Sequence, residues 1–461
     1  MKSIHMLICP VWIFLFILPL FAQNEKPPEG GTPKDFVLPA KKEFTIDNNL
    51  KVTLIQYGSI PTVEVRLVIR VGNLDEKEDE IWLADLTTDF LKEGTKTRSA
   101  KEIAEQAAEI GGSVSVSTGA DQTFISGTSL AEFGPKLIEL ISDIVQNPAF
   151  PESEVERLQN NYIRNLKVSK SQPQSIALER FRKILYPNHP YGRLYPTEEM
   201  IKSYTIDKIK TFYHDKFGAQ KSHIYVVGLF DESEVESAIR QQLGSWAPGA
   251  KYLENIPKAN THKVIDLIDR PNAPQSTIIM GLPVIDPSQK DYIALQVTNT
   301  LLGGSFSSRI TSNIREDKGY TYSPYSSISA RFRDAYWCER ADVTTQFTGA
   351  SLKEIFYEID RLQNAAPAED ELKGVQNYMA GVFVLRNSSP EGIINQLSFI
   401  DLHGLPDNYL ADYVQNIYKV TPDDVQRLTK EFIQDQKMTL VIVGDLKKIK
   451  EQVAPFGKLE Y

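Results

Sequence analysis

Cysteine is almost absent: Cys9 and Cys338 are the only two in 461 residues. A disulfide-stapled secreted scaffold and a cysteine-rich metal cluster are therefore excluded. Histidine is scarce as well, and no two of His5, His189, His214, His223, His262 and His403 stand four apart, the spacing of a helical zinc pair. Basic residues are outnumbered, 51 Lys and Arg against 60 Asp and Glu, and no basic block forms a phosphate-neutralising surface. Nucleic acid is not an expected partner. Beyond residue 22 no apolar run is long enough to span a bilayer, which excludes a multi-span membrane class. With no G-x-S-x-G segment and no Cys/His constellation, an independent serine or cysteine hydrolase has no support.

What is present begins with a targeting segment. Lys2, the apolar run Val11 to Leu20 and the pair Phe21-Ala22 have the layout of a secretory signal peptide cleaved after Ala22. Leu20 is larger than the small residue favoured just before the cut, so a retained anchor, and with it membrane attachment, stays open. A bacterial periplasm is the expected location. Cleavage would remove Cys9 and leave Cys338, expected as a half-buried structural thiol beside Trp337. Residues 23–41, rich in proline, glycine and charge, are expected as a mobile leader.

The remaining chain is too long for one compact core. Alternation over Glu43 to Ile46 and Lys51 to Ile55 predicts a hairpin, and Thr62 to Val71 a buried strand. Helical periodicity starts at Ile81. Ser99 with Glu102, and Ser129 with Glu132, each predict a helix opened by a capping box. Between them, Val114 to Ser117 and Thr123 to Ser126 alternate with period two, as half-buried antiparallel strands do. Helices are predicted over Ser153 to Lys170, Gln174 to Leu185 and Ile206 to Asp215, followed by a strand over Ser222 to Val227.

An internal repeat organises these elements. The stretch Lys221 to Gly228 is echoed by Lys437 to Gly444, 216 residues on, and Thr205 to Ile209 by Thr421 to Val425 at the same offset. Leu91 to Thr95 is echoed by Leu301 to Ser305. These matches predict an α+β fold of two homologous domains related by internal duplication, each a mostly antiparallel sheet packed with helices, over residues 42–246 and 263–461 with a linker at 247–262.

Three segments, Lys92-Glu93-Gly94-Thr95 with its continuation to Ala100, Asn147-Pro148-Ala149-Phe150-Pro151, and Leu301-Leu302-Gly303-Gly304-Ser305-Phe306-Ser307-Ser308-Arg309, give the chain its resemblance to the insulinase/pitrilysin (inverzincin) peptidases of the short, processing-peptidase type. Active members carry H-x-x-E-H, two zinc ligands with a general base between them, just before the Lys-x-Gly-Thr segment. Here the matching positions are Asp85, Thr88 and Asp89. The family's third ligand, a glutamate, should fall near Arg164 and Asn165, where no acid stands. Asp85 and Asp89 share a helix face and read either as a weak hard-cation pair or, better, as a solvated acidic edge. This chain is expected to hold no zinc.

The resemblance implies more for the second half. There the family places an Arg and, seven residues later, a Tyr that bind the substrate carbonyl, and Arg315 and Tyr322 match. The alternatives are a surface ion pair of Arg315 with Glu316 or Asp317, and a half-buried strand aromatic at Tyr322. Gly303, Gly304 and Ser305 are expected to line the substrate cleft, the two glycines letting the backbone turn sharply there, although helix capping by Ser305 or Ser307 explains part of that run by itself. The strand containing Val114, Ser115 and Val116 corresponds to the family's peptide-accepting edge strand, although an interior position fits the pattern equally. The implied function is a non-zinc subunit working with a homologous chain that bears H-x-x-E-H and its zinc on unfolded peptides; the alternative is a peptide-binding or scaffolding protein of the same fold.

Overall fold

The computed structural model describes residues 37–460, so the expected signal segment and most of the leader lie outside the described residues. The hairpin forms from β1 (Lys41–Thr45) and β2 (Lys51–Gln56), turning through Asn49 at φ 68°. With β3 (Thr62–Ile69), β4 (Ser113–Thr118), β5 (Thr123–Leu130) and β6 (Ser222–Gly228) it makes a six-stranded sheet in the order β1-β2-β6-β3-β5-β4. Only β2 and β6 run parallel.

The second sheet repeats that plan. It contains β7 (Val264–Asp269), β8 (Gln275–Val284), β9 (Tyr325–Arg331), β10 (Asp334–Thr344), β11 (Thr439–Gly444) and β12 (Leu459–Glu460), in the order β12-β7-β11-β8-β10-β9. The repeated sequences occupy equivalent places, β6 and β11, at the centre of each sheet. Thr205 and Thr421 each cap the helix that leads toward them. The outer strand differs: β1 precedes its lobe and pairs antiparallel, whereas β12 ends the chain and pairs parallel with β7.

Most predicted elements stand near their predicted bounds, and Ser99 caps the helix Ala100–Glu109 reciprocally with Glu102. Ser129 does not cap. It is paired with Val63 inside β5, and the following helix, Gly134–Gln146, begins beyond a 3-10 turn with Pro135 in its first turn. Completing the β-ladder to β3 satisfies backbone groups that a capping box would have taken out of the sheet. Cys338 is not half-buried but fully buried in β10, its thiol pushed up by burial.

The two lobes interlock by exchanging helices. The helix Pro173–Leu185, from the first half of the sequence, buries Ala177, Phe181 and Leu185 against Ile279, Val441 and Val443 of the second sheet. In return the helix Pro390–His403 buries Ile393, Ile394 and Leu397 against Ile55, Val68 and Val227 of the first. The connecting stretch is tied down. The guanidinium of Arg70 lies between the rings of Tyr252 (4.0 Å) and Phe332 (4.4 Å), and the Asn260 N–H donates to Leu185 C=O at 2.7 Å.

Candidate functional site

The segment that would bear the zinc motif is the helix Leu83–Phe90. Its first turn is preceded by Trp82 in the left-handed region, φ 69°, a costly conformation for a residue with a bulky side chain. The cost is offset by packing, because the indole meets Tyr162 (5.8 Å) and Tyr195 (5.7 Å) edge-on. Asp85 accepts from Asn73 Nδ2 at 2.6 Å, and burial pushes its carboxyl up to about 6. Asp89 accepts from Tyr162 Oη at 2.7 Å and pairs with Lys92 Nζ at 2.6 Å. Thr88 is buried and hydrogen-bonds to Thr118 at the end of β4.

These contacts correct two expectations. Asp85 and Asp89 do not form a solvated acidic edge: both are half-buried and committed to neighbours. And the residue of the helix Val155–Ser171 that reaches the motif is Tyr162, whereas Arg164 and Asn165 face solvent. The donor set does not fit zinc. It offers two carboxylates and a phenol, no imidazole, and its acceptor positions are already taken by an amide, a hydroxyl and an ammonium group. Among the described residues no cluster of three or more His, Cys, Asp or Glu side chains is arranged to hold a metal ion.

Strand β4 ends the first sheet, which settles its position as an edge. Val114 and Val116 turn toward the first core, and Ser113, Ser115 and Ser117 line an open groove on the other face. Among the described residues β4 pairs only with β5, so its outer backbone groups have no strand partner there.

In the second lobe, Arg315 sits on a one-turn π-helical segment, Ser312–Asp317, a geometry that recurs at functional sites. Ile310 and Ile314 anchor it in the core, Arg309 pairs bidentately with Glu371 (2.7 and 2.7 Å), and Asn313 Nδ2 donates to Glu358 at 2.8 Å. The Arg315 guanidinium lies between the rings of Phe306 (4.2 Å) and Tyr322 (4.9 Å), and its Nε pairs with Glu316 at 3.1 Å. Tyr322 is no half-buried strand aromatic: it lies outside any strand and is 80% exposed. The expected neighbours of this pair are thus together, and Phe306, 67% exposed, joins them. Its place inside the Gly-Gly-Ser-Phe run was the available signal for it.

Gly303 and Gly304 serve close approach and not a left-handed turn. Gly303 has φ −152°, and a Cβ there would stand 2.6 Å from Ser326 Oγ and 2.9 Å from Glu339 Oε2; one on Gly304 would meet Asn299 Nδ2 at 2.5 Å. Neither Ser305 nor Ser307 caps a helix. Ser305 donates back to Thr300 C=O at 3.1 Å, and the cap of the next short helix is Ser308. Among the described residues, no hydrogen bond, ion pair or ring contact joins the Arg315 cluster to Asp85 or Asp89.

Two family models together match most of the chain. The profile "Insulinase (Peptidase family M16)" matches residues 51–196, and "Peptidase M16 inactive domain" matches 203–379. A protein named uncharacterized zinc protease YmxG of Bacillus subtilis is 25% identical over 412 residues, 87% of this chain and 98% of that protein. Among solved structures, a peptidase M16 inactive domain from Pseudomonas fluorescens superposes with TM-score 0.82 at 23% identity, covering 88% of this chain and 98% of that one. The periplasmic protease PqqL of Escherichia coli does so with TM-score 0.77 at 16% identity, covering 96% of this chain and 49% of its own.

Proposed function

The chain belongs to the insulinase family of peptidases, family M16, and from that premise we propose that it is the zinc-less subunit of a heterodimeric metallopeptidase acting outside the cytoplasm. The observation that carries this reading is the asymmetry between its two sites. The positions of the zinc motif are engaged by Asn73, Tyr162, Lys92 and Thr118, while Arg315 and Tyr322 stand side by side with the phenol exposed.

A sister chain bearing H-x-x-E-H would supply the zinc, the activated water and the general base. This chain's part is electrostatic. Arg315, held by the two rings and by Glu316, and the Tyr322 hydroxyl donate hydrogen bonds to the scissile carbonyl oxygen and hold the negative charge that develops there. Pre-aligned donors of this kind are worth roughly 10²-fold in rate each. The open edge of β4 offers an extended peptide a strand to pair with. The signal-like segment and the likeness to a protease described as periplasmic support a bacterial periplasm as the compartment.

The test starts from the tagged chain purified from its own cells without denaturant. Mass spectrometry should find a second chain containing H-x-x-E-H in near-equal amount. In that complex Arg315→Ala should lower turnover about a hundredfold without impairing assembly, and an unchanged turnover removes the catalytic role. The Arg315–Glu316 ion pair favours a second reading, in which Arg315 is a packing residue of a peptide-binding or scaffolding protein. A lone chain or homodimer that binds peptide without turnover would establish it.

A further inference from the structure

The groove beside β4 has a charge pattern that peptide pairing alone does not require. It encloses about 410 Å³ between the outer strands of the first sheet and the helix Pro390–His403, whose apolar cluster with β3 and β6 also takes in Phe124 of β5 but no residue of β4. Its serine-rich wall is uncharged; its charges are Glu64, Arg66 and Glu391. Two carboxylates therefore share one guanidinium, three of whose five N–H groups already donate within the groove. Arg66 Nε donates to Ser126 Oγ at 2.9 Å, Nη1 to Asn395 Oδ1, and Nη2 to Glu64 Oε1 at 3.0 Å.

Glu391 is the more loosely held of the two. Its carboxylate stands 3.8 Å from Arg66 Nη2, and its side chain is 67% exposed at the mouth of the groove. Arg66 and Glu64 are each only 8% exposed, so the pair is a fixed floor and not a mobile surface contact. A strand added to β4 lies about 4.8 Å from it and sends alternate side chains to the face of Ser113, Ser115 and Ser117. A side chain entering there meets a net negative charge with hydroxyls around it.

We propose that this groove is a subsite for a lysine or arginine side chain of an extended peptide, with Glu391 as the residue that reads the charge and the Glu64–Arg66 pair as its support. The proposal rests on the reading that β4 accepts an added strand. An acidic side chain is disfavoured, because it would bring a third carboxylate to a groove that holds two against one guanidinium, and a purely apolar one gains nothing from the serine wall. The long stem of a lysine or arginine packs along Phe124 while its charged end stays hydrated near Glu391.

The experiment uses the purified full chain and three fluorescent octapeptides of alternating threonine and valine that differ at one central position, lysine, norleucine or glutamate. Binding is followed by anisotropy at low and at 0.5 M salt. The lysine peptide should bind about fivefold tighter than the norleucine peptide, the glutamate peptide more weakly than either, and the difference should shrink in high salt. Glu391→Gln, at an exposed position that does not threaten folding, should abolish the lysine preference and leave the norleucine peptide unchanged. Equal binding of all three peptides, a preference for glutamate, or a lysine preference surviving Glu391→Gln overturns the charge-reading subsite while strand addition stands. No binding of any peptide overturns both, as does a concentration-dependent dimer through β4, which would assign the edge to a second copy of the chain.

Discussion

At the level of single residues, the lost zinc site is a rebuilt site and not an eroded one. Replacing ligands leaves a hole unless other groups fill it, and here each position has a new partner: Asn73 for Asp85, Tyr162 and Lys92 for Asp89, Thr118 for Thr88. Restoring the motif by Asp85→His, Thr88→Glu and Asp89→His together should therefore give a chain that holds zinc only substoichiometrically after dialysis, as measured by plasma emission, because no third protein ligand stands opposite. One tightly held zinc per chain would contradict this. Trp82 makes the same point energetically. Trp82→Gly relieves about 1 kcal/mol of left-handed backbone cost but removes the indole packed on Tyr162 and Tyr195, a loss of roughly 3 kcal/mol where a large aromatic is truncated. The packing term is larger, so urea denaturation should show a net destabilisation of about 2 kcal/mol; a more stable variant would mean that strain dominates.

At the level of elements, what the sequence disclosed was local. The hairpin β1–β2, the capping box at Ser99 and the alternating β4 and β5 depend on neighbours a few residues apart, and the duplication showed because β6 and β11 kept similar residues at a constant offset. Ser129 misled because its local cue was overridden by ladder pairing with β3, and Tyr162 was missed because reaching Asp89 depends on how two helices cross. Tyr322 was legible beside Arg315 through the seven-residue spacing that the resemblance supplied, but Phe306 closes the other side of the guanidinium only because two loops meet, which no spacing reveals. The exchanged helices were equally invisible, since an amphipathic pattern shows that a face is buried but not in which lobe. Their consequence is testable. Phe181 belongs to the first half of the sequence yet packs on Tyr336 (5.6 Å) of β10. Phe181→Ala should cost about 3–5 kcal/mol and lower the stability of both lobes in a single urea transition seen alike by far- and near-ultraviolet dichroism. Two separated transitions would show that the lobes fold independently.

At the scale of the whole molecule, the lobes meet across titratable groups that pull stability in opposite directions. Tyr186, from the first half of the sequence, donates to Asp334 at the start of β10, and burial pushes the Asp334 carboxyl up to about 6, with the Tyr186 hydroxyl and Arg331 acting the other way. His403, at the end of the helix exchanged into the first lobe, is pushed down to about 4 by burial, opposed by Asp286 and assisted by Arg333 and Arg70. The raised carboxyl contributes stability that is fully present below its unfolded value of 3.8 and is lost as pH rises through about 6. The depressed imidazole contributes stability that is present above 6.5 and is lost as pH falls through about 4. Between pH 4 and 6 the folded chain carries the proton on Asp334 and the unfolded chain carries it on His403, so these two groups cancel. Removing either one uncovers the other. Asp334→Asn should make stability rise with pH over that window by up to about 1.4 kcal/mol per unit relative to the parent chain, and His403→Gln should make it fall by a similar slope. Urea midpoints at pH 4.5, 5.5 and 6.5 separate the two signs. Parallel pH profiles for the parent and both variants would mean that neither group changes its protonation when the lobes come apart.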